Sequence, residues 1–131
     1  MREAACSCGQ LRVRVEGDPV RISLCHCLAC KRRTGSAFGY QARFLAENAE
    51  IEGRHTDYTR ISDQEDGHAH TFSFCPACGA TVFYTSEGMP ELIAIPVGAF
   101  ADPAFPAPTV SVYELRKHAW VEPPEPIEHH D

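Results

Sequence analysis

The sequence Leu24-Cys25-His26-Cys27-Leu28-Ala29-Cys30-Lys31-Arg32-Arg33-Thr34-Gly35-Ser36 places three thiols within six residues and three cations directly after them. Side chains alternate along an extended segment, so Cys25 and Cys27 point to the same side, and a turn then brings Cys30 back toward them. Three sulfur atoms can therefore converge on one point. Zn2+ is the borderline-soft cation that favours such ligands, and three protein ligands leave its fourth tetrahedral position for water or a substrate.

The other four of the seven cysteines form two pairs that lie far apart in the chain. These are Cys6 with Cys8 and Cys75 with Cys78. An odd cysteine count with such short spacings favours metal ligation over disulfides. In residues 75–79 the proline sets a turn and the glycine accepts a positive φ, so that amides of the turn can point at the thiolates. Four thiolates suit a closed structural zinc site, whose binding free energy contributes to folding.

Length and composition predict one domain over residues 1–131. Hydrophobic residues make up 44% of the chain, and the formal net charge is -6. An acidic chain is a poor general binder of nucleic acid, which needs clustered cations. No apolar run approaches the length of a membrane helix, and the start at Met1 lacks the apolar stretch of a signal peptide. We therefore expect a cytoplasmic protein that binds neither nucleic acid nor membranes; the sequence indicates no oligomeric state.

Alternation of apolar and polar residues predicts an all-β fold of about nine short strands at most. The predicted strands cover residues 11–15, 20–24, 37–44, 49–53, 57–61, 70–74, 81–85, 91–97 and 110–115. Residues 29–34 are predicted to form one or two helical turns that stop at Gly35, and Gly39 to mark a close approach of two backbones. Residues 62–67 are expected to form a hairpin loop, residues 102–108 an ordered connection, and residues 122–131 a tail packed loosely on the surface.

The residues alone leave the role of the three-thiol group open. It can be an open functional zinc site, a second structural zinc with a histidine as fourth ligand, or an empty set of reduced thiols. His26 is the nearest histidine, but it should face the opposite way from its two cysteine neighbours. The three cations that follow, Lys31, Arg32 and Arg33, can stabilise a zinc site that has gained a further thiolate, or they can form a solvated helix end.

Five motifs occur in one order over nearly the whole chain. They are Cys-Ser-Cys-Gly at 6–9, Cys-His-Cys-x-x-Cys-Lys-Arg-Arg-Thr-Gly-Ser-Ala-Phe at 25–38, Phe-Cys-Pro-Ala-Cys-Gly-Ala at 74–80, Gly-Ala-Phe-Ala-Asp-Pro at 98–103, and Val-Tyr with Ala-Trp-Val at 112–121. With these motifs the chain resembles the family of the glutathione-dependent formaldehyde-activating enzyme, which includes the centromere-protein-V-like proteins.

The resemblance implies a β-tent fold of short antiparallel strands. It also implies a structural zinc on Cys6, Cys8, Cys75 and Cys78, and a second, catalytic zinc, which can be labile, on Cys25, Cys27 and Cys30. The reaction of the family's founding enzyme is addition of glutathione to formaldehyde, which is the reverse of a carbon-sulfur lyase reaction; other members need not share this substrate.

We therefore expect a carbon-sulfur lyase that joins a small thiol, such as glutathione, to a small aldehyde, or that runs the reverse reaction. In this scheme Cys25, Cys27 and Cys30 form the catalytic zinc site, and Lys31, Arg32 and Arg33 bind the anionic thiol substrate. The alternative hypothesis is a non-catalytic zinc-stabilised module that binds another protein.

Overall fold

The computed structural model of the chain describes residues 1–63 and 67–131. Eleven β-strands and one α-helix lie within these two ranges. The strands are β1 (Arg2–Ala5), β2 (Arg12–Val15), β3 (Arg21–Cys25), β4 (Gly39–Leu45), β5 (Ala49–Glu52), β6 (Thr56–Ile61), β7 (Ala69–Phe74), β8 (Thr81–Ser86), β9 (Leu92–Pro96), β10 (Val110–Val112) and β11 (Glu128–His129). The helix α1 covers Leu28–Thr34.

The strands form two sheets. The smaller sheet has the order β1-β2-β5, and the larger one has the order β11-β10-β3-β4-β9-β8-β7-β6. Neighbouring strands are antiparallel, except that β10 runs parallel to both β3 and β11. The predicted all-β fold is therefore confirmed.

The main core lies between the two sheets. In β2, Val13 and Val15 are fully buried while Arg12 is exposed, as the period-two pattern predicts. Opposite them, the larger sheet contributes Phe44 and Ile95, which are also fully buried. The two inner faces thus interdigitate, in the manner of aligned sheets that bury alternate residues.

The outer face of the larger sheet carries a polar surface instead. In β3, Ile22 joins the main core, whereas Arg21, Ser23 and Cys25 line a cavity on the opposite side of the sheet. Helix α1 follows β3 directly and covers one end of this face. The alternation that builds the core therefore also places Cys25 and two polar side chains in one cavity.

Most strand boundaries agree with the predicted segments to within two residues. Two strands occur in addition to those predicted, and one is clearly shorter than predicted. The strands β1 and β11 were not expected, and β10 ends at Val112 rather than at 115. The tail is not loosely packed throughout, since backbone hydrogen bonds join Glu128 to Thr109 and His130 to Ser111. In the expected 62–67 loop, residues 64–66 lie outside the described residues. Residues 102–108 form a connection without strands, as expected.

Candidate metal centres and the adjoining cavity

The first candidate centre is a cluster of four sulfur atoms that lie within 4.8 Å of one another. We call Cys6, Cys8, Cys75 and Cys78 the four-cysteine cluster. The first pair follows β1 of the smaller sheet, and the second pair lies in the turn between β7 and β8 of the larger sheet. The two sulfurs of Cys8 and Cys75 are 3.7 Å apart. A cation held here therefore joins the two sheets.

Hydrogen bonds to the sulfur atoms suit thiolates. The backbone N–H of Leu11 donates to the sulfur of Cys6, and that of Ala77 donates to the sulfur of Cys75, each at 3.3 Å. Burial raises the pKa of the Cys75 thiol, but hydrogen bonds from Gln10 and from backbone amides outweigh it and lower the pKa to about 6. Four sulfurs with such donors fit the donor set of a structural zinc site.

Gln10 is a part of this centre that the sequence did not reveal. Its Nε2 donates to the sulfur of Cys75 at 3.0 Å and to the carbonyl oxygen of Arg54 at 2.7 Å. Its Oε1 accepts from the N–H of Arg54 at 2.9 Å. The side chain is thereby fixed with an N–H on the thiolate, and no pattern in the sequence links residue 10 to residue 54.

The second candidate centre contains the sulfurs of Cys25, Cys27 and Cys30, which again lie within 4.8 Å of one another. We call it the three-cysteine cluster. Cys25 ends β3, Cys27 is the N-cap of α1, and Cys30 lies in the first turn of that helix. The N–H of Cys30 donates to the sulfur of Cys27 at 3.3 Å. The predicted convergence of the three sulfurs is confirmed.

Hydrogen bonds among the sulfurs of this cluster shift the pKa values of Cys25 and Cys27 in opposite directions. Hydrogen bonds from Cys25 and Cys30 lower the pKa of Cys27, and the charge of Arg60 acts in the same direction. The pKa of Cys25 is raised because its thiol donates to Cys27, at a sulfur–sulfur distance of 3.3 Å. Three converging sulfurs of this kind fit a soft cation, which takes the place of the shared protons.

Among the described residues, the group of candidate ligands here contains three sulfurs and no histidine or carboxylate. His26 is fully buried, and its Nε2 lies 2.9 Å from Ser111 Oγ in β10. It does not line the cavity, which agrees with its expected orientation away from the neighbouring cysteines. Burial lowers the pKa of His26.

The three cations after the cluster point in different directions. Lys31 Nζ donates to the carbonyl oxygen of Arg116, and Arg32 is exposed. The guanidinium carbon of Arg33 lies 5.1 Å from the ring centre of Phe72 and 5.2 Å from that of Tyr84. Both rings line the cavity, but Lys31, Arg32 and Arg33 do not. Arg32 and Arg33 line a neighbouring pocket, which shares Arg60 and Phe72 with the cavity.

The cavity has a volume of about 380 Å³, which lies within the range of small-molecule sites. All three cysteines of the three-cysteine cluster line it. Its further charged lining consists of the arginines 21, 43 and 60 and the aspartates 63 and 131. These three arginines were not predicted from the sequence as site residues. Arg21 was recognisable because it shares the alternation of β3 with Cys25, but Arg43 and Arg60 lie on other strands.

Arg21 and Arg43 are directly opposite each other in the β3–β4 register. In the part of the chain that the structure describes, neither of them forms an ion pair. Like charges in this arrangement destabilise a sheet. The positive charge of Arg21 and Arg43 in the cavity is therefore not neutralised by an ion pair within the described residues.

Gly39 lets helix α1 approach this face of the sheet, as predicted. It lies opposite Cys25 in the register of β3 and β4. A Cβ atom at this position would lie 3.1 Å from Gln41 Oε1 and 3.3 Å from the Cβ of Cys30. A side chain here would thus require Gln41 and Cys30 to move by a few tenths of an ångström.

Three aromatic residues in or next to the sequence motifs lie outside the cavity. Tyr40 packs against the main core and donates to the carbonyl oxygen of Pro106 at 2.6 Å. The ring of Phe38 lies 6.1 Å from that of His26, and Trp120 is 72% exposed. Within the described ranges there is also no helix long and apolar enough to cross a membrane.

Comparison with known proteins gives a family and a fold. The model of the family described as glutathione-dependent formaldehyde-activating enzyme matches residues 1–116. No curated protein matches the chain significantly. A crystal structure of a Rhodobacter sphaeroides protein is similar in fold, with a TM-score of 0.59 and 19% identity over 79% of this chain and 90% of that one.

Proposed function

Because the chain belongs to the family of the glutathione-dependent formaldehyde-activating enzyme, we propose that it catalyses the addition of a small thiol to a small aldehyde, or the reverse cleavage. The reaction class is that of a carbon-sulfur lyase. Formaldehyde and glutathione are the substrates that the family description suggests. The reduced thiols that the scheme requires fit a cytoplasmic location.

The observation that carries the proposal is the position of the three-cysteine cluster. Its sulfurs converge at the wall of a cavity of about 380 Å³, and no fourth cysteine, histidine or carboxylate among the described residues completes the group. By contrast, the four-cysteine cluster has a full tetrahedral set of ligands. A closed set suits a structural role, and an open set next to a cavity suits catalysis.

In this scheme Cys6, Cys8, Cys75 and Cys78 hold one zinc ion, and Cys25, Cys27 and Cys30 hold a second one. Zinc on three sulfurs favours the deprotonated, nucleophilic form of a thiol that enters its open position. The protein positions this thiol beside the cavity, where the arginines offset the negative charge of the collected thiolates. Arg60 already lowers the pKa of Cys27, after the larger effect of Cys25 and Cys30, so its charge reaches the cluster.

We assign the binding of the anionic thiol to Arg21 and Arg60, which line the cavity. Lys31, Arg32 and Arg33 do not line it, and their part in thiol binding stays a prediction.

Metal analysis combined with a thiol titration tests the proposal. The wild type should hold two zinc ions per chain, and Cys27→Ser should lose or loosen one of them while the protein stays folded. Glutathione should perturb this second zinc in the wild type alone. A chain that holds one zinc ion, unaffected by the substitution or by glutathione, would contradict the proposal and favour a non-catalytic protein-binding module.

A further inference from the structure

Tyr84 carries a hydroxyl group that the fold leaves without a partner. The residue is 4% exposed and lines the cavity beside the three-cysteine cluster. Among the described residues, no group forms a hydrogen bond with this hydroxyl. Tyrosine hydroxyls that protein surrounds ordinarily find a hydrogen-bond partner. The position therefore leaves a hydrogen-bond donor open to a ligand in the cavity.

Positive charge surrounds the same hydroxyl. Arg43, Ala94 and Tyr84 are register partners across β4, β9 and β8, so they form one row on the cavity face of the sheet. The guanidinium carbon of Arg43 lies 5.9 Å from the Tyr84 ring centre. That of Arg33 lies at 5.2 Å. The charges of both arginines act on the Tyr84 hydroxyl and lower its pKa, against the larger effect of burial.

Gln41 adds an acceptor to this donor. It is 2% exposed and lines the cavity, and its Nε2 donates to Ser23 Oγ at 2.8 Å. Its Oε1 is buried and has no hydrogen-bond partner in the described part of the chain. A carbonyl oxygen can only accept hydrogen bonds, whereas the hydroxyl that replaces it after addition also donates one. Gln41 thus leaves an acceptor without a partner beside the cavity that Tyr84 lines.

We propose that Tyr84 is a catalytic residue that binds the aldehyde oxygen, with Arg43 stabilising the negative charge that develops there. The inference rests on the proposed function and adds the subsite for the electrophile. Hydrogen-bond donors and cations placed where charge develops are usually the largest contribution to such catalysis. Burial raises the pKa of Tyr84 to about 12, so the hydroxyl keeps its proton at neutral pH.

The step balances without a further reactant. The thiol first releases its proton to solvent and becomes a thiolate. A sulfur lone pair then forms the carbon–sulfur bond, while the π pair of the carbonyl moves to oxygen. That oxygen takes the proton of the Tyr84 hydroxyl, and the proton released by the thiol restores the hydroxyl. The net reaction converts a thiol and an aldehyde into a hemithioacetal, and the reverse order gives cleavage.

Exchange NMR with formaldehyde and glutathione measures the rate of this reaction in the zinc-loaded protein. Tyr84→Phe keeps the ring, and with it the contact to Phe72 at 4.9 Å. We expect the rate above background to fall by about 100-fold. Glutathione binding in the absence of aldehyde should be unchanged. The control is Tyr40→Phe, which removes a hydroxyl outside the cavity and should leave the rate unchanged.

Arg43→Gln is the second variant, and it decides the question if Tyr84→Phe does not fold. Its rate should fall with glutathione and equally with 2-mercaptoethanol, which has no carboxylate. A loss with glutathione alone would mean that Arg43 binds the carboxylate of the thiol, and would overturn its assignment to the aldehyde oxygen.

The outcomes separate the two proposals. An active wild type together with a Tyr84→Phe rate within threefold of it would overturn the subsite and leave the proposed function standing. A wild type that does not accelerate the reaction with either thiol would overturn both.

Discussion

Replacing Cys78 with alanine should reduce thermal stability much more than replacing Cys30 with alanine. The two cysteines belong to clusters that close very different loops. The four-cysteine cluster joins Cys8 to Cys75, which are 67 positions apart, and links the smaller sheet to the larger one. The three-cysteine cluster lies within six consecutive residues. The unfolded chain therefore loses more conformational entropy if it assembles the first cluster than if it assembles the second.

The size of the difference follows from the loop lengths. Assembling a cluster in the unfolded chain costs about 4 kcal/mol of chain entropy across the long loop and about 2 kcal/mol across the short one, and zinc favours the folded state by this margin. In a domain of this size each kcal/mol shifts the melting temperature by roughly 4 °C. We therefore expect Cys78→Ala to melt about 15 °C below the wild type or to aggregate, and Cys30→Ala to remain folded with about half that shift.

Differential scanning calorimetry of the zinc-loaded proteins measures both shifts. Circular dichroism at 25 °C should show native secondary structure in Cys30→Ala. Equal melting temperatures for the two variants, or a larger loss in Cys30→Ala, would refute the division into a structural and a functional cluster.

Two further predictions concern contacts around the clusters. Gln10→Ala removes the N–H that donates to the Cys75 sulfur. In competition with a chelator, the zinc affinity of the four-cysteine cluster should therefore fall about tenfold or more. An unchanged affinity would show that this contact is dispensable. His129 has a raised pKa because it pairs with Glu114 and Glu125. The stability that this pairing gives to the docked strand β11 is complete below pH 6.5, the ordinary histidine value. It is lost as the pH rises through the raised pKa. Hydrogen exchange of the β11 amides, corrected for the intrinsic rate, should therefore increase above neutral pH in the wild type and be independent of this transition in His129→Asn.

The sequence predicted the elements whose cause is local. The sulfurs of Cys25 and Cys27 converge because alternation and a turn within a few residues bring them together. Helix α1 ends where Gly35 adopts a left-handed conformation with a φ of 67°. A glycine inside a predicted strand often marks a point where another part of the chain comes close, and this is how Gly39 was recognised. In the structure Cys30 and Gln41 lie close to it.

Features that depend on strand neighbours could not be predicted in the same way. Arg43 and Tyr84 are 41 positions apart, and they meet only because β9 lies between β4 and β8. The strand β1 has two alanines and little intrinsic β-propensity, so it becomes a strand through its pairing with β2. The tail forms β11 through backbone pairing with β10, which the side chains of a proline-rich segment do not indicate.

The rate of hemithioacetal formation from formaldehyde and glutathione, compared in the wild type and Cys27→Ser, tests the central claim most directly. Cys27 accepts the N–H of Cys30 and lies at the centre of the three-cysteine cluster, while the four-cysteine cluster is untouched by the substitution. We predict that the wild type accelerates the exchange and that folded Cys27→Ser leaves it at the spontaneous rate. Equal acceleration by both proteins, or none by the wild type, would contradict the account.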